Sequence, residues 1–276
     1  MIASLFMYAP PELRPAVEAW WAGVAGHLRA AGLSDAPDRL VWPADPLAHW
    51  TDPDLLLAQA CGYPLTHALA GRVAYVATPH YAAEGCRGPL YSSRIVARAS
   101  EADRDLPAFR GRRLAYNDPS SQSGFWALRA ALAARLGPAT EAQGPFFAAA
   151  LQTDGHRESL AAVREGRADL CAVDTVTWAL LTRVAPQEIA PLAPIGWTPA
   201  APGLPYITAL AGAAGRLPAI RAGLEAAFTD AALSEVRAAL LLDGFSVLPA
   251  GGYACVRAME RTAADGMPDH LFPSRQ

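Results

Sequence analysis

The chain has 276 residues, 52% of them hydrophobic and 18% charged, with a formal net charge of -3. That composition supplies a packed core for one large domain or two lobes, and it argues against disorder, broad nucleic-acid binding and attraction to an anionic membrane. All 23 Lys+Arg positions are Arg, which excludes a Schiff-base lysine, a lysine-linked pyridoxal phosphate and a P-loop lysine.

In chain order, Ile2–Tyr8 is short and apolar and runs up to Pro10-Pro11, which predicts a buried first strand. Glu12–Gly32 carries Val17, Trp20, Trp21, Val24 and Leu28 at helical spacing, with Gly32 as a stop. Arg39–Trp42 and Leu55–Cys61 are predicted strands, Leu65–Ala70 a short helix and Arg72–Thr78 another strand. Gly85–Pro89 is a predicted loop. Tyr91–Arg98 and Arg112–Asn117 are predicted strands, and Phe125–Leu136 is a helix with Phe125, Leu128, Leu132 and Leu136 near one face. Phe146–Leu151 and Leu170–Val173 are predicted strands, Glu158–Glu165 a helix stopped by Gly166, and Thr175–Leu181 the start of another. The Pro-rich stretch Pro186–Pro205 is expected to be a connector with at most a short strand. Leu217–Phe228 and Ala231–Leu242 are expected helices. The alternation implies an α/β protein whose sheets are mainly parallel and flanked by helices. There is no internal repeat and no low-complexity linker.

The first residues, Met1–Tyr8, show no basic segment, apolar core and cleavage site of a secretory signal. No apolar run approaches the roughly 18 residues of a membrane-crossing helix. The expectation from residues alone is a soluble protein that stays where it is made, with no direct insertion into a membrane. Cys61, Cys86, Cys171 and Cys255 form no CxxC pair. They read as buried small hydrophobes, with a Cys61–Cys86 bridge as the alternative for an exported protein.

Chemistry concentrates in three places. The first is Asn117-Asp118-Pro119-Ser120-Ser121-Gln122-Ser123-Gly124, between a strand and a helix, and it holds the only Asn of the chain. A helix start leaves N–H groups unpaired and partly positive, and small hydroxyl residues let an anion approach and add donors of their own. The alternative is that Ser121 or Ser123 only caps the helix. The second is Thr153-Asp154-Gly155-His156-Arg157-Glu158-Ser159, a polar turn opening a helix, where His156 is a ligand donor or a capping residue. The third is Asp174 at the end of a strand, which either meets a protonated anion or a ligand amine, or caps the next helix. No HExxH or Gly-x-Ser-x-Gly pattern is present, and no metal or cofactor site is expected.

These segments, with Tyr91–Arg98 before them and Ser159–Asp174 after, resemble the phosphate/phosphite/phosphonate substrate-binding proteins of ABC importers, which have the type II periplasmic-binding-protein fold. The likeness is best over residues 90–210. It implies a two-lobed clamshell, with lobe 1 made of 1–91 and 197–276, lobe 2 of 92–196, and hinges near Tyr91 and Trp197–Pro205. It implies capture of a small oxyanion in the cleft for ABC-type import, with an ABC permease as partner. Carried over, the ligand contacts are Ser121, Ser123, Gly124 and His156, with Tyr63 and Tyr91 as aromatic contacts; Ser120 and Gln122 of the same polar run, Asp174 at its strand end and Tyr8 in the turn after the first strand complete the candidate set. Gln122 stands where the family commonly has Thr or Ser. The family works in the periplasm, whereas these residues carry no export signal and read as cytoplasmic. Two alternatives use the same fold. One is a ligand sensor acting through a partner. The other is an enzyme holding an anionic metabolite, with Cys61 as nucleophile served by His67 or His80.

Overall fold

The first strand stops at Ser4, short of the expected Tyr8, in the computed structural model, which describes residues 1–136 and 144–266. Strand β1 (Ile2–Ser4) gives way to 3₁₀ turns at Phe6–Tyr8 and Pro11–Leu13, then to α1 (Arg14–Ala30) and α2 (Pro46–Trp50). Next come β2 (Leu55–Gln59), α3 (Gly62–Thr66), β3 (Val73–Tyr81) and the short β4 (Cys86–Arg87) and β5 (Leu90–Tyr91). β6 (Ser93–Arg98) and β7 (Arg113–Tyr116) precede a π-helical turn at Gln122–Trp126 that runs into α4 (Ala127–Leu136). β8 (Ala149–Gln152), α5 (His156–Arg164), β9 (Leu170–Asp174), α6 (Thr175–Val184), α7 (Pro186–Ile189) and β10 (Leu192–Trp197) follow. The rest is β11 (Ala201–Pro202), β12 (Tyr206–Ala209), α8 (Ala213–Thr229), α9 (Ser234–Ala239), β13 (Leu242–Ser246) and α10 (Ala254–Gly266).

Among the described residues the chain divides into two compact units, unit 1 holding Met1–Ala82, Cys86–Leu90 and Pro202–Gly252, and unit 2 the remainder. Ala83–Gly85, Tyr91, Trp197–Ala201 and the chain from Tyr253, which the resemblance places in lobe 1, group with unit 2. Trp197–Ala201 belongs to unit 2, since Trp197 is still paired with Arg94 of β6. So does the chain from Tyr253, because α10 lays Val256, Met259 and Ala263 on one buried face and packs against α4.

Unit 1 has a sheet of order β1-β2-β12-β3-β13. β1 and β2 are parallel, β12 runs antiparallel to β2 and β3, and β13 antiparallel to β3. α1 buries Val17, Trp20, Trp21, Val24 and Leu28, the face its spacing predicts, and packs on α8. Arg39–Trp42 is not a strand. Val41 makes one bond to the Ala3 carbonyl, 2.8 Å, and no ladder develops on that edge. The short helix falls at Gly62–Thr66 rather than Leu65–Ala70, and the segment expected to be helical up to Leu242 ends in β13.

Unit 2 has a sheet of order β10-β6-β9-β7-β8, with β7 parallel to β8 and β9 and the other pairs antiparallel. Alternating strand residues feed a core on each face. Ile95, Leu114 and Tyr116 join Phe109, Leu128, Leu132 and Phe147, whereas Val96, Ala115 and Val173 join Leu160, Val163 and Leu181. The sheets are thus mixed, with parallel runs that end in the polar motifs. The Pro-rich connector holds the six-residue strand β10 and the turn α7. None of the four cysteines is in a disulfide, so Cys61 and Cys86 are not bridged.

Candidate functional site

Three strands of unit 2 deliver the three polar segments to one place, because β7, β8 and β9 run parallel and their carboxyl ends lie on the same side of the sheet. After β7, Ser121 caps the π-helical turn by accepting from the Gly124 N–H at 3.0 Å. After β8, the Thr153 and Asp154 N–H groups donate to the Tyr116 and Asn117 carbonyls, each at 2.9 Å, which fastens the two loops together. His156 then opens α5. β9 ends at Asp174, the cap of α6, whose oxygens accept from the Thr177 N–H at 2.9 Å and the Thr177 hydroxyl at 2.6 Å.

The centre of this group is the His156 ring. Its Nε2 lies 2.9 Å from Ser123 Oγ and 3.3 Å from Asp174 Oδ2. Gly124 is where only glycine fits. A Cβ there would stand 2.0 Å from Asn117 Oδ1 and 3.0 Å from His156 Cε1. Burial lowers the pKa of His156 from its ordinary value, while Asp174 and the backbone of Ala172 pull the other way. The imidazole is therefore neutral near pH 7.

The predicted residues fare differently. Ser121, Gln122, Ser123, His156 and Asp174 are drawn together and shielded, with Ser121, Gln122, Ser123 and Asp174 buried. Ser120 is exposed and turns its N–H and hydroxyl to the Asp118 carboxylate. Gln122 donates from Nε2 to Met259 Sδ at 2.9 Å, and its buried Oε1 makes no hydrogen bond. Asp174 caps α6, as the capping reading of its position expects, and also touches His156. Tyr91, in unit 2, is buried. Tyr8 and Tyr63 belong to unit 1. Tyr8 is buried edge-on to Tyr81, with ring centroids 5.0 Å apart. Tyr63 is half-buried and stacks on His67 at 3.8 Å. Of the groups proposed to serve a Cys61 nucleophile, His67 bonds Thr66 and the Tyr63 carbonyl, and His80 bonds Ser246. The sequence reading did not anticipate Met259, Asn117 as the wall of Gly124, or the 2.6 Å Thr153–Ser159 hydroxyl pair that braces the His156 turn. The uniqueness of Asn117 was the one signal for any of them.

Chemically this is a set of neutral hydroxyl, backbone and imidazole groups with the Asp174 side chain as an acceptor beside them. Ser123 and Asp174 meet the same ring nitrogen, whereas a nucleophile–base–acid relay needs the two ring nitrogens engaged separately. Among the described residues no group of three or more His, Cys, Asp or Glu could hold a metal ion, and no helix is long and apolar enough to cross a membrane.

The fold and these strand-end loops define a periplasmic-binding-protein-like ligand-capture protein. The model of the family described as "ABC transporter, phosphonate, periplasmic substrate-binding protein" matches residues 52–248. The chain belongs to that family. No curated protein matches it in sequence. Among solved structures it is similar to PhnD1 from Prochlorococcus marinus in complex with methylphosphonate, with a TM-score of 0.73 and 12% identity over 96% of this chain and 98% of that one. It is also similar to a binding protein component of an ABC phosphonate transporter from Pseudomonas aeruginosa, with a TM-score of 0.71 and 15% identity over 95% and 86% of the two chains. XAC2383 from Xanthomonas citri, bound to chloride ion, gives 0.70 and 15% over 95% and 96%.

Proposed function

We propose that this chain captures a small tetrahedral oxyanion of the phosphonate, phosphite or phosphate class and delivers it to an ABC permease without chemically changing it. The observation that carries this reading is the meeting of Ser121, Ser123, Gly124 and His156 at the ends of β7 and β8, with Asp174 behind them. Hydroxyl and backbone donors at a helix start suit an oxyanion, and a chain without Lys has to use such donors or Arg. The reading assigns the protein to the periplasm and involves neither nucleic acid nor a cofactor.

Isothermal calorimetry with methylphosphonate, phosphite, phosphate and sulfate tests it. At least one of the first three should bind at micromolar affinity or tighter, about -8 kcal/mol. Binding of none of them, or turnover of a bound one, overturns the reading.

A further inference from the structure

Two oxygens, Ser123 Oγ and Asp174 Oδ2, crowd one nitrogen of His156. Asp174 Oδ2 is 3.3 Å from Nε2 and already accepts the Thr177 hydroxyl. A carboxylate offers no proton, so the contact is attractive only if Nε2 carries one. The other nitrogen, Nδ1, is buried, and although the Ala172 backbone acts on the ring, no contact of hydrogen-bonding geometry forms at Nδ1. A bare acceptor left unpaired there is a smaller penalty than a buried, unpaired N–H. The Asp174 contact favours the tautomer with its proton on Nε2. That proton also faces Ser123 Oγ at 2.9 Å, so Oγ accepts, and its own hydrogen has to point elsewhere. Ser121 repeats the pattern. Its Oγ accepts from the Gly124 N–H, which leaves the hydroxyl hydrogen free to donate.

We infer that Asp174 is a positioning residue acting through His156: it holds the imidazole proton on Nε2, and this turns the Ser123 hydroxyl outward as a donor to the oxyanion. The inference rests on the binding reading above and deepens it. Asp174 and His156 set the direction of the Ser123 donor from behind, and two serines with their acceptor side filled from the protein present two aligned O–H donors. An anion that brings only acceptors is recognised, while a ligand needing an acceptor from Ser123 is not.

The substitution Asp174→Asn keeps an acceptor for the Thr177 N–H but places an amide hydrogen opposite Nε2. The imidazole proton should then move to Nδ1, and Ser123 should donate inward to the ring. Calorimetry with methylphosphonate should show a loss of about tenfold or more for D174N and a similar loss for Ser123→Ala, about the worth of one buried hydrogen bond. The double variant D174N/S123A should bind no more weakly than S123A alone, since both changes remove the same donor. Nitrogen-15 NMR of the imidazole, recorded on the unliganded protein, should place the proton on Nε2 in the wild type and on Nδ1 in D174N. Additive losses in the double variant overturn the inference. So does a wild-type proton on Nδ1, directed at the backbone of Ala172, and this measurement decides the matter if D174N does not fold. A wild type with the Nε2 proton that binds no oxyanion would overturn the binding reading and leave the tautomer assignment standing.

Discussion

Gly124 and Asn117 are packed so closely that a methyl group on Gly124 would lie 2.0 Å from Asn117 Oδ1. A side chain at 124 therefore has to displace Asn117 or move the Gly124 N–H from the Ser121 hydroxyl. Gly124→Ala should force the π-helical turn away from the β7 end and destabilise the protein by about 1–3 kcal/mol, the usual penalty for overpacking. Methylphosphonate affinity should fall with it, because Ser121 and Ser123 leave their places. Pairing the change with Asn117→Ala removes the obstacle, so the double variant should recover much of the lost stability in a thermal-unfolding cycle. Equal destabilisation with and without Asn117 would show that the clash is not the cause.

The buried His156 ring gives stability a pH dependence of known sign. Burial lowers its folded pKa below the ordinary 6.5, so the unfolded chain takes up a proton that the folded one resists. The contribution is complete above that ordinary pKa and is lost as pH falls below it. Urea unfolding at pH 7.5, 6.5 and 5.5 should show stability dropping over the lower interval, and His156→Gln should flatten that part of the profile. A profile unchanged by H156Q would assign the dependence to other groups.

Asp169 is the structural counterpart of Asp174 at the opposite end of β9. It accepts from Arg98 at 2.7 Å and from the Arg113 guanidinium and backbone N–H at 3.0 Å. Despite partial desolvation, these bonds hold its carboxyl well below the usual range. A depressed carboxylate stabilises the fold above its unfolded pKa, and that stability is lost as pH falls through the acid range below 3.8. Asp169→Asn should lower unfolding free energy by about 2–3 kcal/mol, since two Arg lose a buried acceptor. Methylphosphonate affinity should hold, because a five-residue strand separates Asp169 from the site by about 16 Å. A parallel fall in affinity would place the Arg98–Asp169–Arg113 group in the binding machinery.

The site was legible where its signals were local. A strand, a run of small polar residues and a helix start are contiguous, so residues 117–124, 153–159 and 174 could be singled out one by one. Parallel strands then bring their ends together as a matter of geometry. What escaped was set by distant partners. β10 hides in a Pro-rich run because it is an edge strand paired only with β6, and Pro194 and Gly196 sit at a break in its register, where a missing N–H is tolerated. β13 escaped because Leu242–Ser246 gains its strand character from pairing with β3, 160 or so residues earlier in the chain. The membership of α10 in unit 2 is likewise a packing outcome. Nothing local in Val256, Met259 and Ala263 says that their stripe belongs on α4.

Gln122 is the residue where sequence departure and structural detail meet. It is 1% exposed, its Nε2 is turned to Met259 Sδ on α10, and its Oε1 is buried without a hydrogen bond. A buried, unsatisfied carbonyl costs about 1–3 kcal/mol, and here the amide is spent on a sulfur, a weak acceptor. Gln122→Thr removes that carbonyl and opens a small void beside Met259, two opposing effects that should leave stability within about 1 kcal/mol of the wild type. The new hydroxyl would stand between those of Ser121 and Ser123 on the same turn. It should tighten methylphosphonate binding severalfold, as one more donor to an oxyanion would. Met259→Ala separates the two roles of the neighbourhood: truncating a buried side chain should destabilise by about 2–3 kcal/mol, with the loss felt first by α10 in hydrogen exchange. If Q122T leaves methylphosphonate affinity unchanged, position 122 faces the tail helix only, and the ligand is held by Ser121, Ser123, Gly124 and His156 without it.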